Sequence, residues 1–144
     1  MSGKELAYAD LKPGHVFTET RYRISREDNE AFLGTVRYEA VRTDAGQVLP
    51  EAAVPTDRPI HPTLLGSYQP LHAAFSWPTG VLHAREQVSL LAAAMPGEEL
   101  ASTVTVQECY ERNGKKFVVL RITIDKVEDK RTAIVVERTL VWPY

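Results

Sequence analysis

The sequence predicts an α+β protein in which one antiparallel sheet is wrapped around a central helix. The segment Pro62–Phe75 is apolar on nearly every side, which is typical of a helix enclosed by the rest of the protein. After this segment the hydrophobic pattern changes from a helical period to a period of two residues, and it keeps that period to the end of the chain. Asn113-Gly114 separates two of the alternating stretches and predicts a tight hairpin, so the strands should form an antiparallel meander.

The chain before the central helix predicts one strand, one helix and a long irregular stretch. His15–Ile24 alternates in polarity and predicts the opening strand. Ser25 stands three residues before Asp28, a spacing typical of a helix N-cap, and predicts a helix of about ten residues that ends near Gly34. The side chains of this helix expected to face inward are Ala31, Phe32 and Val36. Prolines interrupt any pattern between residues 37 and 60, and long loops of this kind are often functional.

The central helix has a proline at its predicted start and another inside it. Pro62 suits the first helical position, where no backbone N–H is needed. Pro70 should interrupt the helix because it cannot donate the next hydrogen bond. We therefore expect one helix over Pro62–Gln69 and a second piece over Leu71–Phe75.

Four later segments predict the main strands of the sheet, and short turns separate them. These segments are Val81–Ala94, Glu99–Arg112, Lys115–Val127 and Arg131–Trp142. In the third segment the side chains expected on the buried face are Val118, Leu120, Ile122 and Ile124. One enclosed helix with one sheet around it favours the hotdog fold, as a single domain over residues 1–144.

The composition excludes several classes of function. Of the 144 residues, 44% are hydrophobic and 25% are charged, and the formal net charge is −2. This balance is typical of a soluble globular protein and provides no basic surface for nucleic acid or for a membrane. The longest apolar run is too short to span a bilayer, and the charged residues near Met1 lead us to expect no signal peptide. The single cysteine cannot form an internal disulfide, and the scattered His residues show no metal-ligand spacing, so we expect a cytoplasmic protein without a bound metal.

Two passages of the sequence resemble MaoC-like hydratases and dehydratases. Val81–Gln87 followed by Met95–Leu100 resembles their passage LH…(Q/E)…P-x-x-P-G-D-x-L. Arg58-Pro59-Ile60 followed by Pro62-Thr63-Leu64-Leu65 resembles the entry to their central helix. The resemblance implies a hotdog homodimer, or a heteromer with a catalytic hotdog subunit. It also implies an acyl-thioester substrate in a tunnel between the protomers, with coenzyme A present as part of the substrate and no other cofactor.

The sequence departs from this family where active members carry their catalytic motif. These members have Gly-Asp-x-Asn-Pro-x-His just after the first helix, and its Asp and His handle the water that is added or lost. The corresponding stretch here begins with residues 34–38, Gly-Thr-Val-Arg-Tyr, which contain neither an acid nor an imidazole. The chain is similar to the acid-less halves that pair with a catalytic hotdog partner.

Asp57 and His61 are the candidate catalytic pair. Hydration of an enoyl thioester needs a base for the water and an acid for the α-carbon. Asp57 and His61 are the only Asp/His pair close in sequence, and they stand directly ahead of the central helix. Alternatively, Asp57 is an exposed loop residue and His61 caps the helix entrance. The backbone N–H groups of Thr63 and Leu64 are candidate donors to a developing oxyanion.

Further candidate substrate-binding residues lie along the central helix and the next strand. Gly66 would allow another backbone or a thin ligand to approach closely, and Tyr68 either contacts the ligand or belongs to the core. A regular alternation places His83 and Arg85 on one face, where His83 either lines the tunnel or has a structural hydrogen bond. Other side chains have no predicted role in chemistry: His15, His72 as a core residue, and Cys109 as an ordinary thiol on a face with Thr105, Gln107 and Glu111.

Three functions compete on these grounds. The first is a MaoC-like enoyl-CoA hydratase or 3-hydroxyacyl dehydratase, or its tunnel-forming subunit. The second is a hotdog thioesterase, in which Glu86 or Asp57 would have to activate water because no Asp or Glu lies between residues 62 and 75. The third is a non-catalytic module that binds an acyl ligand.

Overall fold

The computed structural model describes residues 5–17, 19–36, 58–67 and 77–143. A 3-10 turn at Tyr8–Asp10 precedes the regular elements. The helices and strands are β1 (Thr20–Tyr22), α1 (Arg26–Thr35), α2 (Pro62–Ser67), β2 (Leu82–Leu90), β3 (Leu100–Arg112), β4 (Lys115–Lys126) and β5 (Arg131–Trp142). The predicted α+β class is confirmed.

The five strands form one antiparallel sheet in the order β1-β3-β4-β5-β2. The neighbouring strands β3, β4 and β5 follow one another in the chain, so the predicted meander is confirmed. Asn113 and Gly114 join β3 to β4 with φ angles of 53° and 73°. Two successive left-handed residues make a turn whose twist matches that of the flanking strands, which explains why this dipeptide forms the hairpin.

One face of the sheet carries the hydrophobic core, and we call it the core face. The predicted inward residues of β4 are all buried there: Val118, Leu120, Ile122 and Ile124. Helix α2 lies on the same face, with Leu65 fully buried and Gly66 against Ile134 and Val136 of β5. The opposite face, which we call the outer face, carries Arg121 and Glu137. The structure therefore places α2 where the sequence predicts an enclosed helix.

A β-bulge in β3 reverses the side chains near its end. Val106 pairs with Leu120, whereas Glu108 pairs with the next residue of β4, Val119, so Gln107 is the extra residue. Cys109 consequently pairs with Val118 and packs against the core. Cys109 shares its face with Glu111, as expected, but not with Thr105, because the extra residue Gln107 interrupts the regular alternation between them.

Helix α1 begins as predicted, but a different stripe of side chains faces inward. The Ser25 hydroxyl accepts a hydrogen bond from the Asp28 N–H at 3.0 Å, which confirms the N-cap. The buried residues are Asn29 and Leu33, spaced one helical turn apart, and Phe32 is half-buried. Ala31 and Val36 are exposed, so the prediction that they face inward is wrong. The helix continues past Gly34 to Thr35.

The predictions of the opening strand and of the central helix are confirmed only in part. The strand predicted over His15–Ile24 is reduced to β1 and an isolated bridge between Val16 and Thr105. Helix α2 starts at Pro62, as expected. The predicted end of this helix, its second piece over residues 71–75 and most of the predicted long loop lie outside the described residues.

Candidate functional site

The start of α2 is organised by His61. Its carbonyl oxygen accepts the Leu65 N–H at 2.9 Å, and its ring Nδ1 accepts the Thr63 N–H at 3.2 Å. The imidazole also lies against the Phe32 ring of α1, with 5.4 Å between the ring centroids. His61 therefore caps the helix through its side chain, which was one of the two roles expected of it.

Asn29 joins α1 to the chain that enters α2. This side chain is completely buried. Its amide nitrogen donates to the Pro59 carbonyl at 3.1 Å, and its amide oxygen accepts the His61 N–H at 3.0 Å. A buried amide that satisfies both a donor and an acceptor of the main chain fixes the position of the helix entrance. The sequence gives one signal for this role, a polar residue on the same helical face as Leu33.

A second link between the same segments is an ion pair. The Arg58 guanidinium donates through two nitrogens to both carboxylate oxygens of Glu30 on α1. This pair borders an open cleft of about 250 Å³, whose other lining residues are Arg26, Met95 and Pro96. The bidentate geometry orders residues 58–60 just before the helix.

The remaining candidates on α2 have different surroundings. The Thr63 N–H already donates to His61, and the described residues provide no acceptor for the Leu64 N–H. Gly66 faces β5, where an added Cβ would lie 3.4 Å from the Ile134 Cδ1 atom. The close approach predicted for Gly66 is thus made by the sheet. Asp57 and Tyr68 lie outside the described residues.

A β-bulge in β2 separates His83 from Arg85. His83 pairs with Leu140 and Arg85 with Thr139, so one extra residue, Ala84, lies between two consecutive pairs. Leu140 is buried on the core face, and His83 shares that face, whereas Arg85 is on the outer face. The expectation that His83 and Arg85 share a face is therefore wrong.

The bulge brings His83 next to Glu86, and together with Arg138 they form what we call the edge triad. His83 Nε2 lies 3.0 Å from Glu86 Oε2, although residues three apart in a regular strand point to opposite faces. The same Glu86 oxygen accepts a hydrogen bond from Arg138 Nε at 2.7 Å. The side chains of Arg138 and Glu86 are 22% and 29% exposed, and that of His83 is 49% exposed. The carboxylate is thus held from one side by Arg138 and presents its charge to the imidazole on the other.

The edge triad and His61 lie at different ends of α2. Ile60, next to His61, donates its N–H to Ala94, beyond the end of β2. Arg138 stands two residues along β5 from Val136, which contacts Gly66, and two residues of a strand span about 7 Å. The structure therefore does not bring His61 and His83 together. The sequence placed Glu86 among the possible bases but gave no indication of Arg138.

Two other features of the described residues bear on the chemistry. Burial and, to a lesser degree, the Glu108 charge raise the pKa of the Cys109 thiol, which donates to the Leu11 carbonyl at 3.5 Å. A raised pKa disfavours the nucleophilic thiolate. In the part of the chain that the structure describes, no three His, Cys, Asp or Glu side chains are grouped to hold a metal ion. None of the helices in that part is long and apolar enough to cross a bilayer.

Comparison with known proteins finds similarity at the level of structure. The sequence matches no family model and no curated protein. R-hydratase PhaJ1 from Pseudomonas aeruginosa superposes with a TM-score of 0.67 at 19% identity, covering 94% of this chain and 84% of that one. The MaoC-like dehydratase from Rhodospirillum rubrum gives 0.68 at 14% identity, covering 94% and 96%. The HadBC (3R-hydroxyacyl-ACP dehydratase) complex from Mycobacterium tuberculosis gives 0.65 at 16% identity, covering 90% and 96%.

The chain has the hotdog fold. This confirms the architecture predicted from one enclosed helix and one antiparallel sheet. In this hotdog, α2 is the central helix and β2 is an edge strand of the sheet. The similarity covers at least 90% of this chain in each of the three comparisons.

Proposed function

We propose that this hotdog protein is a subunit of hydratase or dehydratase type that binds an acyl thioester on the core face beside α2. The observation that carries the proposal is the shared fold, because the match covers 84% of the R-hydratase chain and 96% of each dehydratase chain. An apolar acyl chain suits a surface lined by aliphatic side chains. Coenzyme A enters only as the carrier of the acyl group.

The edge of the sheet supports the proposal that the chain works with a second hotdog chain. Every residue of β2 is exposed, and its apolar members Leu82, Val88 and Leu90 are each at least 50% exposed. An open edge strand with apolar side chains is a template for pairing with another strand. A second hotdog chain docked at β2 would cover these side chains and enclose a slot for the acyl group.

The absence of the family's Asp and His favours a heteromer over a homodimer. Residues 34–38 contain no acid and no imidazole where active members carry both. HadBC is itself a complex of dehydratase chains. We therefore propose that this chain shapes the acyl tunnel and that its partner supplies the catalytic pair. The free thiol of Cys109 agrees with a reducing compartment, and we propose the cytoplasm.

The first test is binding and turnover of crotonyl-CoA by the purified chain. We expect calorimetry to detect binding, and the enoyl absorbance to fall slowly or not at all unless a hotdog partner with the intact Gly-Asp-x-Asn-Pro-x-His motif is added. Absence of binding to crotonyl-CoA, both alone and with that partner, would refute the proposal. If the chain binds crotonyl-CoA but no hydration occurs even with the hotdog partner present, an acyl-binding module is favoured instead.

The same assay tests the pair Asp57 and His61. If the isolated chain hydrates crotonyl-CoA, Asp57→Ala and His61→Ala should each abolish hydration. His61 also caps α2, so circular dichroism must first show that His61→Ala is folded. Full turnover in both folded variants would remove the pair from consideration.

A further inference from the structure

The edge triad has the arrangement of an oriented acid–base group. The Glu86 carboxylate lies beside Nε2 of His83 and favours a proton on that nitrogen, which leaves Nδ1 able to accept a proton. Arg138 binds the same carboxylate oxygen and fixes its position. The half-exposed imidazole is accessible to a ligand, whereas the two groups behind it are more deeply buried.

The bulge at Ala84 distinguishes this cluster from an ordinary surface ion pair. Exposed pairs form between side chains that a regular strand already places together, and they contribute little to stability. Here the regular pairing is interrupted, and the interruption puts His83 on the face that carries α2. Bulges are frequent next to active sites because they redirect a side chain. Along β5, Arg138 is about 7 Å from the contact between Gly66 and Val136, and Leu140, which pairs with His83, is about 13 Å from it.

We propose that His83 is a general base that activates water for hydrolysis of a saturated or unsaturated acyl thioester bound beside α2. Glu86 and Arg138 are positioning residues for its imidazole. This inference rests on the proposed binding of an acyl thioester, but it adds an activity that a hydratase-type subunit does not require. It also gives this chain an acid–base group of its own, in a different place from the Asp and His of active family members.

The reaction needs no other reactant than water and the thioester. Nδ1 of His83 takes a proton from water while the water oxygen bonds to the thioester carbonyl carbon. The tetrahedral intermediate then collapses, and the carbon–sulfur bond breaks with its electron pair on sulfur. The proton passes from the imidazolium to the sulfur, so the products are a carboxylic acid and free coenzyme A. His83 returns to its starting state.

The test uses saturated thioesters, which cannot be hydrated at a double bond. Acetyl-CoA and decanoyl-CoA are incubated with the full chain, and free coenzyme A is measured by chromatography so that the thiol of Cys109 does not contribute. We expect hydrolysis by the wild type and a loss of kcat of roughly 100-fold in His83→Ala. Glu86→Gln should lower kcat about tenfold with KM unchanged, and Glu86→Asp should restore part of it, because the charge and not the packing orients the imidazole.

The matched control is Glu137→Gln on the outer face. Glu137 is also paired with an arginine, Arg121, at 4.0 Å, so this variant removes a comparable carboxylate without touching the edge triad. We expect it to hydrolyse at the wild-type rate. Full hydrolysis by His83→Ala, or no hydrolysis by a wild type that binds the thioesters in calorimetry, overturns the inference and leaves the proposed function standing. Failure to bind acetyl-, decanoyl- and crotonyl-CoA, both alone and with the hotdog partner, refutes both.

Discussion

At the scale of single residues, Asn29 has the clearest structural role. It is fully buried, and its amide serves two main-chain groups, at Pro59 and His61, that are 30 and 32 residues away in sequence. Its removal would leave a carbonyl and an N–H of the helix entrance without partners. Such groups are costly in a buried environment, whereas the loss of a well-solvated hydrogen bond costs little.

We therefore expect Asn29→Ala to lower the free energy of unfolding by about 2–3 kcal/mol. Urea titration followed by circular dichroism measures this change. The control is Glu27→Gln, an exposed position on the same helix, which should leave the urea midpoint unchanged. An equal midpoint for Asn29→Ala and wild type would contradict the assignment of Asn29 as the link between α1 and α2.

Sequence reasoning about individual site residues succeeded where the local rules apply. The cap at Ser25 and the alternative role of His61 as a helix cap follow from short-range hydrogen bonding, which a sequence displays directly. The link through Asn29 and the edge triad could not be predicted, because each joins residues brought together only by tertiary packing. In the sequence the members of the edge triad look like ordinary surface polar residues, and the position of Asn29 on the helical face of Leu33 does not identify its partners.

At the scale of elements, the contact between α2 and β5 depends on the size of residue 66. A Cβ added to Gly66 would lie 3.4 Å from Ile134 Cδ1 and 3.7 Å from Val136 Cγ2, which is close to van der Waals contact. Gly66→Ala should therefore remain within about 1 kcal/mol of wild type, since a better helix former offsets the tighter contact. Gly66→Leu should lower the free energy of unfolding by about 2 kcal/mol because its side chain has no space.

Thermal unfolding of the two variants tests this contact. Alanine serves as the control for any effect of replacing glycine in a helix, so the difference between the variants reports packing alone. Equal melting temperatures for Gly66→Ala and Gly66→Leu would mean that α2 does not pack against β5 through this position.

The elements themselves were predictable, but the irregularities of their pairing were not. The strands β3, β4 and β5 and the hairpin at Asn113-Gly114 follow from alternation and turn chemistry. The bulges at Ala84 and Gln107 are selected by the fit of whole strands, and no local pattern marks them. This explains why the face that His83 was expected to share with Arg85, and the face that Cys109 was expected to share with Thr105, were wrong while the strands that contain them were right.

At the scale of the whole molecule, the open edge at β2 determines how the protein should assemble. Val88 lies on the core face opposite Val136 and is 50% exposed. We expect Val88→Lys to weaken pairing with a second hotdog chain, because a lysine on an edge strand would have to lose its hydration in the interface. Analytical ultracentrifugation of the purified protein, with and without the partner, measures the assembled fraction.

Thr123→Lys is the control for this prediction. It adds the same charge on the outer face of β4, inside the sheet and away from its edge. We expect this variant to assemble as the wild type does. Assembly of Val88→Lys at wild-type strength would show that β2 is not the docking edge.

The overall architecture was accessible from sequence because one apolar helix and a series of alternating segments admit few arrangements. The partner proposed for the open edge could not be identified from this sequence, since its chemistry belongs to another molecule. The extra residue at Ala84 also bears on the evolution of the edge strand. A single codon gained or lost in an edge strand moves a reactive group from one side of a sheet to the other while the architecture stays the same.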